Sequence, residues 1–102
     1  MTDLSVSADP VCTDSTLYSV VFENERVRVL RYRDRPGDRT TQHVHPDMVL
    51  VPLSDFRRRL IVDGNTVEFD KTAFEPAWVP TQAHIGENIG ATDTHVLLIE
   101  LK

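Results

Sequence analysis

The chain has 102 residues, 40% of them hydrophobic, which suffices for one compact domain with one core and not for two. Its 11 basic and 16 acidic residues leave a net charge of −5, which argues against a duplex phosphate backbone or an anionic membrane as partner. Cys12 is the single cysteine, so no disulfide framework exists within the chain and a reducing compartment, the cytoplasm, is expected.

Residues 1–14 are polar, contain Pro10 and show neither helical nor strand periodicity. They read as an arm, with residues 1–15 loose or packed across a domain formed by residues 16–102. The start lacks the basic and apolar regions of a secretory signal, and no apolar run approaches the roughly 20 residues of a membrane span. From Thr16 onward, short β-branched and aromatic runs follow one another: LYSVVF, RVRVLRY, MVLVPL, RRLIV, TVEF, AWV and HVLLIEL. Turn-rich segments separate them, and this spacing predicts an all-β sandwich or barrel. Asp63-Gly64 between RRLIV and TVEF predicts a two-residue hairpin, because a type I′ turn needs positive φ at both central positions. No segment holds a helical apolar stripe over three turns.

His43 and His45 stand at i and i+2. In an extended strand they share a face, about 7 Å apart along the chain. Two imidazoles on one face can converge on a first-row metal, with the remaining ligands drawn from elsewhere in the chain. His84 is the candidate, expected at a strand end or loop mouth because Pro80 and Gly90 bracket a turn-rich stretch. Arg58 shares strand parity with Phe56, Leu60 and Val62 and is a candidate to reach a pocket and hold an anionic substrate. Trp78 is a candidate core or pocket-wall residue. Asp47 and Glu87 flank the histidine blocks as candidates to orient an imidazole or carry a proton. Asn88 fits a role in its own turn and His95 a structural or interfacial one. In the last strand Val96 and Leu98 take one face and His95, Leu97, Ile99 and Leu101 the other. A strand apolar on both faces needs cover on both, so a homodimer is expected, the other solution being the arm folded over the outer face.

These blocks resemble the cupin superfamily. Gly37, His43 and His45 match the opening of its first motif, glycine, five residues, histidine, any residue, histidine; His84 and Asn88 match the end of its second, histidine, three residues, asparagine. The order of the blocks, with the Asp63-Gly64 hairpin between them, extends the resemblance over roughly residues 20–102. It implies a double-stranded β-helix, or jelly-roll, barrel of the RmlC-like type. It also implies a divalent transition metal (iron, manganese, nickel, zinc or copper) held by His43, His45 and His84. The family's ligand glutamate is replaced by Val49 or Leu50, Gln82 stands for the glycine after proline, and Phe74 lies near another expected glycine. Three neutral histidines leave an ion its double charge and an open position. The resemblance therefore implies a metal-dependent enzyme of dioxygenase, isomerase or lyase type acting on a small oxygen-bearing organic molecule. The alternative is a cupin that captures a small ligand without converting it, its metal site degenerate or empty; an apolar wall at Val49 and Leu50 favours that reading. A third reading is a structural subunit acting through its apolar outer strand.

Overall fold

The computed structural model describes residues 8–102, in which a four-residue helix, α1 (Pro10–Thr13), precedes nine strands. These are β1 (Tyr18–Glu23), β2 (Val27–Asp34), β3 (His43–His45), β4 (Met48–Pro52), β5 (Phe56–Val62), β6 (Asn65–Lys71), β7 (Ala77–Val79), β8 (Gln82–Asn88) and β9 (Thr94–Leu101). They form two antiparallel sheets, β1-β2-β9-β4-β7 and β3-β8-β5-β6, the two layers of a double-stranded β-helix. The expected all-β class is the observed one. Residues 1–7, the first half of the expected arm, lie outside the described residues. Of the rest, α1 is capped by Asp9, whose side chain accepts from the Val11 amide at 2.9 Å, and it packs against β1 and β3.

Period-2 alternation decides what each strand buries. Leu30 and Tyr32 of β2, Met48 of β4, Phe56 of β5 and Val96 and Leu98 of β9 turn inward with Tyr18 and form the core. Leu30 is fully buried, and burial of a side chain of this size contributes about 1.5–3 kcal/mol. The turn between β5 and β6 has φ of 52° at Asp63 and 77° at Gly64, the signs that a type I′ hairpin requires. Its register, Val62 opposite Asn65 and Leu60 opposite Val67, keeps Phe56, Arg58 and Leu60 on the inner face.

The outer face of the five-stranded sheet carries one transverse apolar row. Phe22 pairs with Val29, Val29 with Ile99, Ile99 with Val49, and Val49 with Trp78, so all five strands contribute to it. Its ends are open, with Phe22 55% and Trp78 56% exposed.

His84 departs from its expected place. It is the third residue of β8, not a loop residue, and Pro80 and Gly90 bound the strand from outside. The alternation that marks the strand is hidden by Gly86, which presents no side chain on the inward row His84, Gly86, Asn88.

Candidate metal centre

The segment between Gly37 and His43 delivers the histidines. Gly37, with φ of 90°, and Asp38 exchange backbone hydrogen bonds with Asn88, and Thr40 brackets Gly86 with two 2.8 Å bonds, one from its amide to the Gly86 carbonyl and one from the Gly86 amide to its hydroxyl. Chain 37–40 is thereby laid along β8, and β3 continues the pairing with His43 opposite His84 and His45 opposite Gln82. Three imidazoles, two on one strand and one directly across from them, meet inside the barrel. Ring centroids are 4.8 Å apart for His43 and His45, 4.7 Å for His43 and His84, and 5.3 Å for His45 and His84. Each ring offers a nitrogen within 4.8 Å of the others, a spread that small ring rotations close onto one ion with bonds of about 2.0–2.1 Å.

The protons on these rings are placed by acceptors behind them. His43 Nδ1 lies 2.8 Å from the Thr41 carbonyl, His45 Nδ1 2.7 Å from Glu100 Oε2, and His84 Nδ1 2.7 Å from Gln82 Oε1. The Thr41 carbonyl and the Gln82 amide oxygen only accept, so Nδ1 of His43 and of His84 donates and Nε2 of each keeps its lone pair. Burial, then the neighbouring His45, lowers the pKa of His43 to about 4; burial, then His43 and His45, lowers that of His84 to about 3. Both rings are neutral at pH 7, the form that ligates a metal. The Tyr18 hydroxyl, 3.2 Å away, donates to His43 Nε2. Burial, then Tyr32, raises the Tyr18 pKa well above that of a free phenol, so this group keeps its proton.

The histidines stand on the wall of a cavity of about 290 Å³ whose other walls include Met48, Leu50, Phe56, Leu60, Phe69 and Leu98. Arg58 also lines it and is 8% exposed; Nη1 donates to Asp34 Oδ2 at 2.7 Å and to Thr94 at 3.1 Å, and Nη2 to the Tyr32 hydroxyl at 3.3 Å. Asp34 is enclosed and also accepts from Asn88 at 3.0 Å and from Tyr32. Trp78 borders the cavity from β7 and is 56% exposed at the end of the outward row. Asp47 and Glu87 do not line it: Asp47 Oδ1 accepts from the Thr81 amide, and Glu87 pairs with Arg59 at 3.0 Å. Asn88 serves its turn, bonding the Thr92 carbonyl and the Gly90 amide, and His95 accepts from Arg31 Nε on the outer side.

Sequence reasoning missed Tyr18, Gln82 and Glu100. The strand alternation contained the last of these, because Glu100 continues the inward row Val96, Leu98 and is 2% exposed. A carboxylate on a buried row needs a partner, and that need is the signal.

No family model and no curated protein matches the sequence. Solved structures do. A cupin domain from Bordetella pertussis Tohama I is 30% identical, with a TM-score of 0.78 over 84% of this chain and 92% of that one. A conserved protein from Klebsiella pneumoniae with a double-stranded β-helix domain is 22% identical, with a TM-score of 0.66 over 83% of this chain and 75% of that one. A protein from Thermotoga maritima described as a predicted oxalate decarboxylase is 19% identical, with a TM-score of 0.58 over 83% and 79% of the two chains. The last two likenesses concern the fold alone.

Proposed function

This chain belongs to the cupin superfamily, and from that premise we propose that it is a metal-dependent enzyme, holding a divalent transition metal on His43, His45 and His84 and acting on a small oxygen-bearing organic molecule in the barrel. The observation that carries this reading is the convergence of three buried imidazoles, each braced from behind. Thr41, Glu100 and Gln82 each hold one Nδ1, and one nitrogen of every ring lies within 4.8 Å of the others. Structural histidines need no such common arrangement. The all-nitrogen donor set suits iron, manganese, nickel, zinc or copper. When bound, such an ion would supply Lewis-acid polarisation of a substrate oxygen, which isomerase and lyase reactions use, and a redox-active one would also supply the activation of dioxygen that a dioxygenase needs.

The chain's own residues do the rest. Glu100 and Gln82 fix two of the rings, apolar side chains form much of the cavity wall, and Tyr18 is a phenol within hydrogen-bond reach of His43 Nε2. Asp47 and Glu87, candidates as proton carriers, are engaged outside the cavity, which leaves Tyr18 as the proton-bearing side chain nearest the imidazoles. Arg58 and Trp78 serve substrate binding from the cavity wall.

The second reading, a cupin that binds a small ligand without converting it, is favoured by Leu50, an apolar cavity residue in the region where the family places a ligand glutamate. The two part on one experiment. Metal-stripped protein is titrated with Mn²⁺, Fe²⁺, Ni²⁺, Cu²⁺ and Zn²⁺ while its melting temperature is followed, then the best-bound form is incubated with small hydroxy- and oxo-acids under air and watched by NMR. Stabilisation by an ion together with consumption of a compound supports the enzyme. Ligand binding without consumption supports the alternative.

The outward row from Phe22 to Trp78 supports a homodimer joined through the five-stranded sheet. The unpaired, exposed Cys12 supports a cytoplasmic setting. Among the described residues no helix is long and apolar enough to cross a membrane. The division into an arm, residues 1–15, and a barrel, residues 16–102, is kept as part of this reading.

A further inference from the structure

The charges that line the cavity are all of one sign. Sixteen of the 102 residues are acidic, yet among the described residues the lining contains no aspartate or glutamate, only Arg58 and Lys71 besides the three imidazoles. Lys71, at the end of β6, has no carboxylate within 4.0 Å among the described residues, and its ammonium lies over the Phe69 ring, 5.5 Å from the centroid. Arg58 is held from behind. Asp34 and Thr94 occupy Nη1, and Tyr32 takes one proton of Nη2. The guanidinium lies against bare backbone, since a Cβ on Gly86 would come within 2.6 Å of Arg58 Nη2. Arg58 Nε has no hydrogen-bond partner among the described residues, and Arg58 is one of the residues that line the cavity. Arg58, Lys71 and Asp34 together leave one positive charge to be met from inside.

We infer that the cavity takes a small carboxylic acid as its monoanion, its carboxylate drawn to Arg58 and Lys71 and an apolar body against Phe56, Leu60, Phe69 and Leu98. Cationic N–H groups favour a carboxylate oxygen, and an apolar wall favours a carboxylate on a hydrocarbon over a fully hydrated anion. A volume of about 290 Å³ sets the size at the lower end of small-molecule sites. This assignment deepens the reading of the barrel interior as the substrate site, and it concerns Arg58 whether or not a metal is bound.

Trp78, the only tryptophan of the chain, borders the cavity and supplies the readout. Tryptophan fluorescence and calorimetry are recorded while benzoate, isovalerate and the neutral isostere benzamide are added to metal-stripped and to zinc-loaded protein, in the wild type, Arg58→Lys, Lys71→Met and His43→Ala. Arg58→Lys keeps a cation beside Asp34 and removes the Nε donor. The expected result is benzoate binding at least about tenfold tighter than benzamide, weakened about tenfold or more in Arg58→Lys and severalfold in Lys71→Met, with benzamide unaffected. Equal binding of benzoate and benzamide, unchanged benzoate affinity in Arg58→Lys, or no binding of either acid up to about 10 mM overturns the inference. The metal reading fails separately. Arg58-dependent benzoate binding by a protein that takes up no zinc sustains this inference and removes the metal; zinc uptake lost in His43→Ala, with benzoate indifferent to Arg58, does the reverse.

Discussion

Glu100 Oε2 accepts a hydrogen bond from His45 Nδ1 at 2.7 Å, while the other oxygen of the same carboxylate takes Nε and Nη2 of Arg28 at 2.9 and 2.7 Å. Arg28 in turn reaches Asp9 at 2.8 Å, just ahead of α1, so a chain of charge runs from the arm to the histidine cluster. An amide cannot accept from both sides. Glu100→Gln therefore either loses the His45 bond or presents its NH₂ to Arg28. Metal affinity should fall about 10- to 100-fold, measured by competition with a chromophoric chelator. Unchanged affinity would mean that Glu100 only braces the fold.

Acid should unfold the metal-free protein through the buried imidazoles. His43 and His84 titrate near 4 and 3 in the folded chain against 6.5 in the unfolded one. Between pH 6.5 and about 4 the unfolded state binds more protons, so this contribution to stability is fully present above pH 6.5 and is lost as the pH falls through that window, by up to about 1.4 kcal/mol per pH unit for each histidine. Urea melts from pH 7.5 to 4.5 should show a shallower slope for His84→Gln than for the wild type. Parallel slopes would contradict the assignment.

Arg58 and Asp34 form an enclosed pair at 2.7 Å, with Asp34 wholly shielded from solvent. Arg58→Met strands that carboxylate and should cost about 3–5 kcal/mol in urea unfolding. Arg58→Met combined with Asp34→Asn should recover part of this loss. A double variant no more stable than Arg58→Met would show that Asp34 is stabilised by Asn88, Thr94 and Tyr32 without the arginine.

A charge placed in the centre of the outward row should separate the proposed dimer. Ile99 and Val49 face each other in register and stand between Val29 and Trp78. Sedimentation of the wild type at micromolar concentration should give twice the chain mass, and Ile99→Glu about half of that, with its β-sheet circular dichroism retained. A wild type of single-chain mass would contradict a dimer through this face.

The fold was legible because it is written in local terms. Alternation marks the runs that became β1, β2, β4, β5, β6, β7 and β9, and Asp63-Gly64 carries the chemistry of its turn. The spacing of His43 and His45 gave their shared face for the same reason. What the sequence concealed depends on strands meeting across the barrel. Alternation puts Glu100 on a buried row but does not say that it stands behind His45, because that contact comes from β9 crossing to β3; Gln82, two residues from His84 on the same face of β8, was hidden only because Gly86 masks that strand. Arg58 shows both halves: its parity pointed inward, but Asp34, 24 residues earlier, and the bare backbone of Gly86 are what keep it there.

The most direct test of the three-imidazole metal site is elemental analysis of untagged protein, purified without chelators, beside His43→Ala and His84→Ala carried through the same steps. Close to one equivalent of iron, manganese, nickel, zinc or copper per chain in the wild type, and little in either variant, is the expected result. Wild-type protein free of all five metals, and unable to take up any of them after purification, would contradict it.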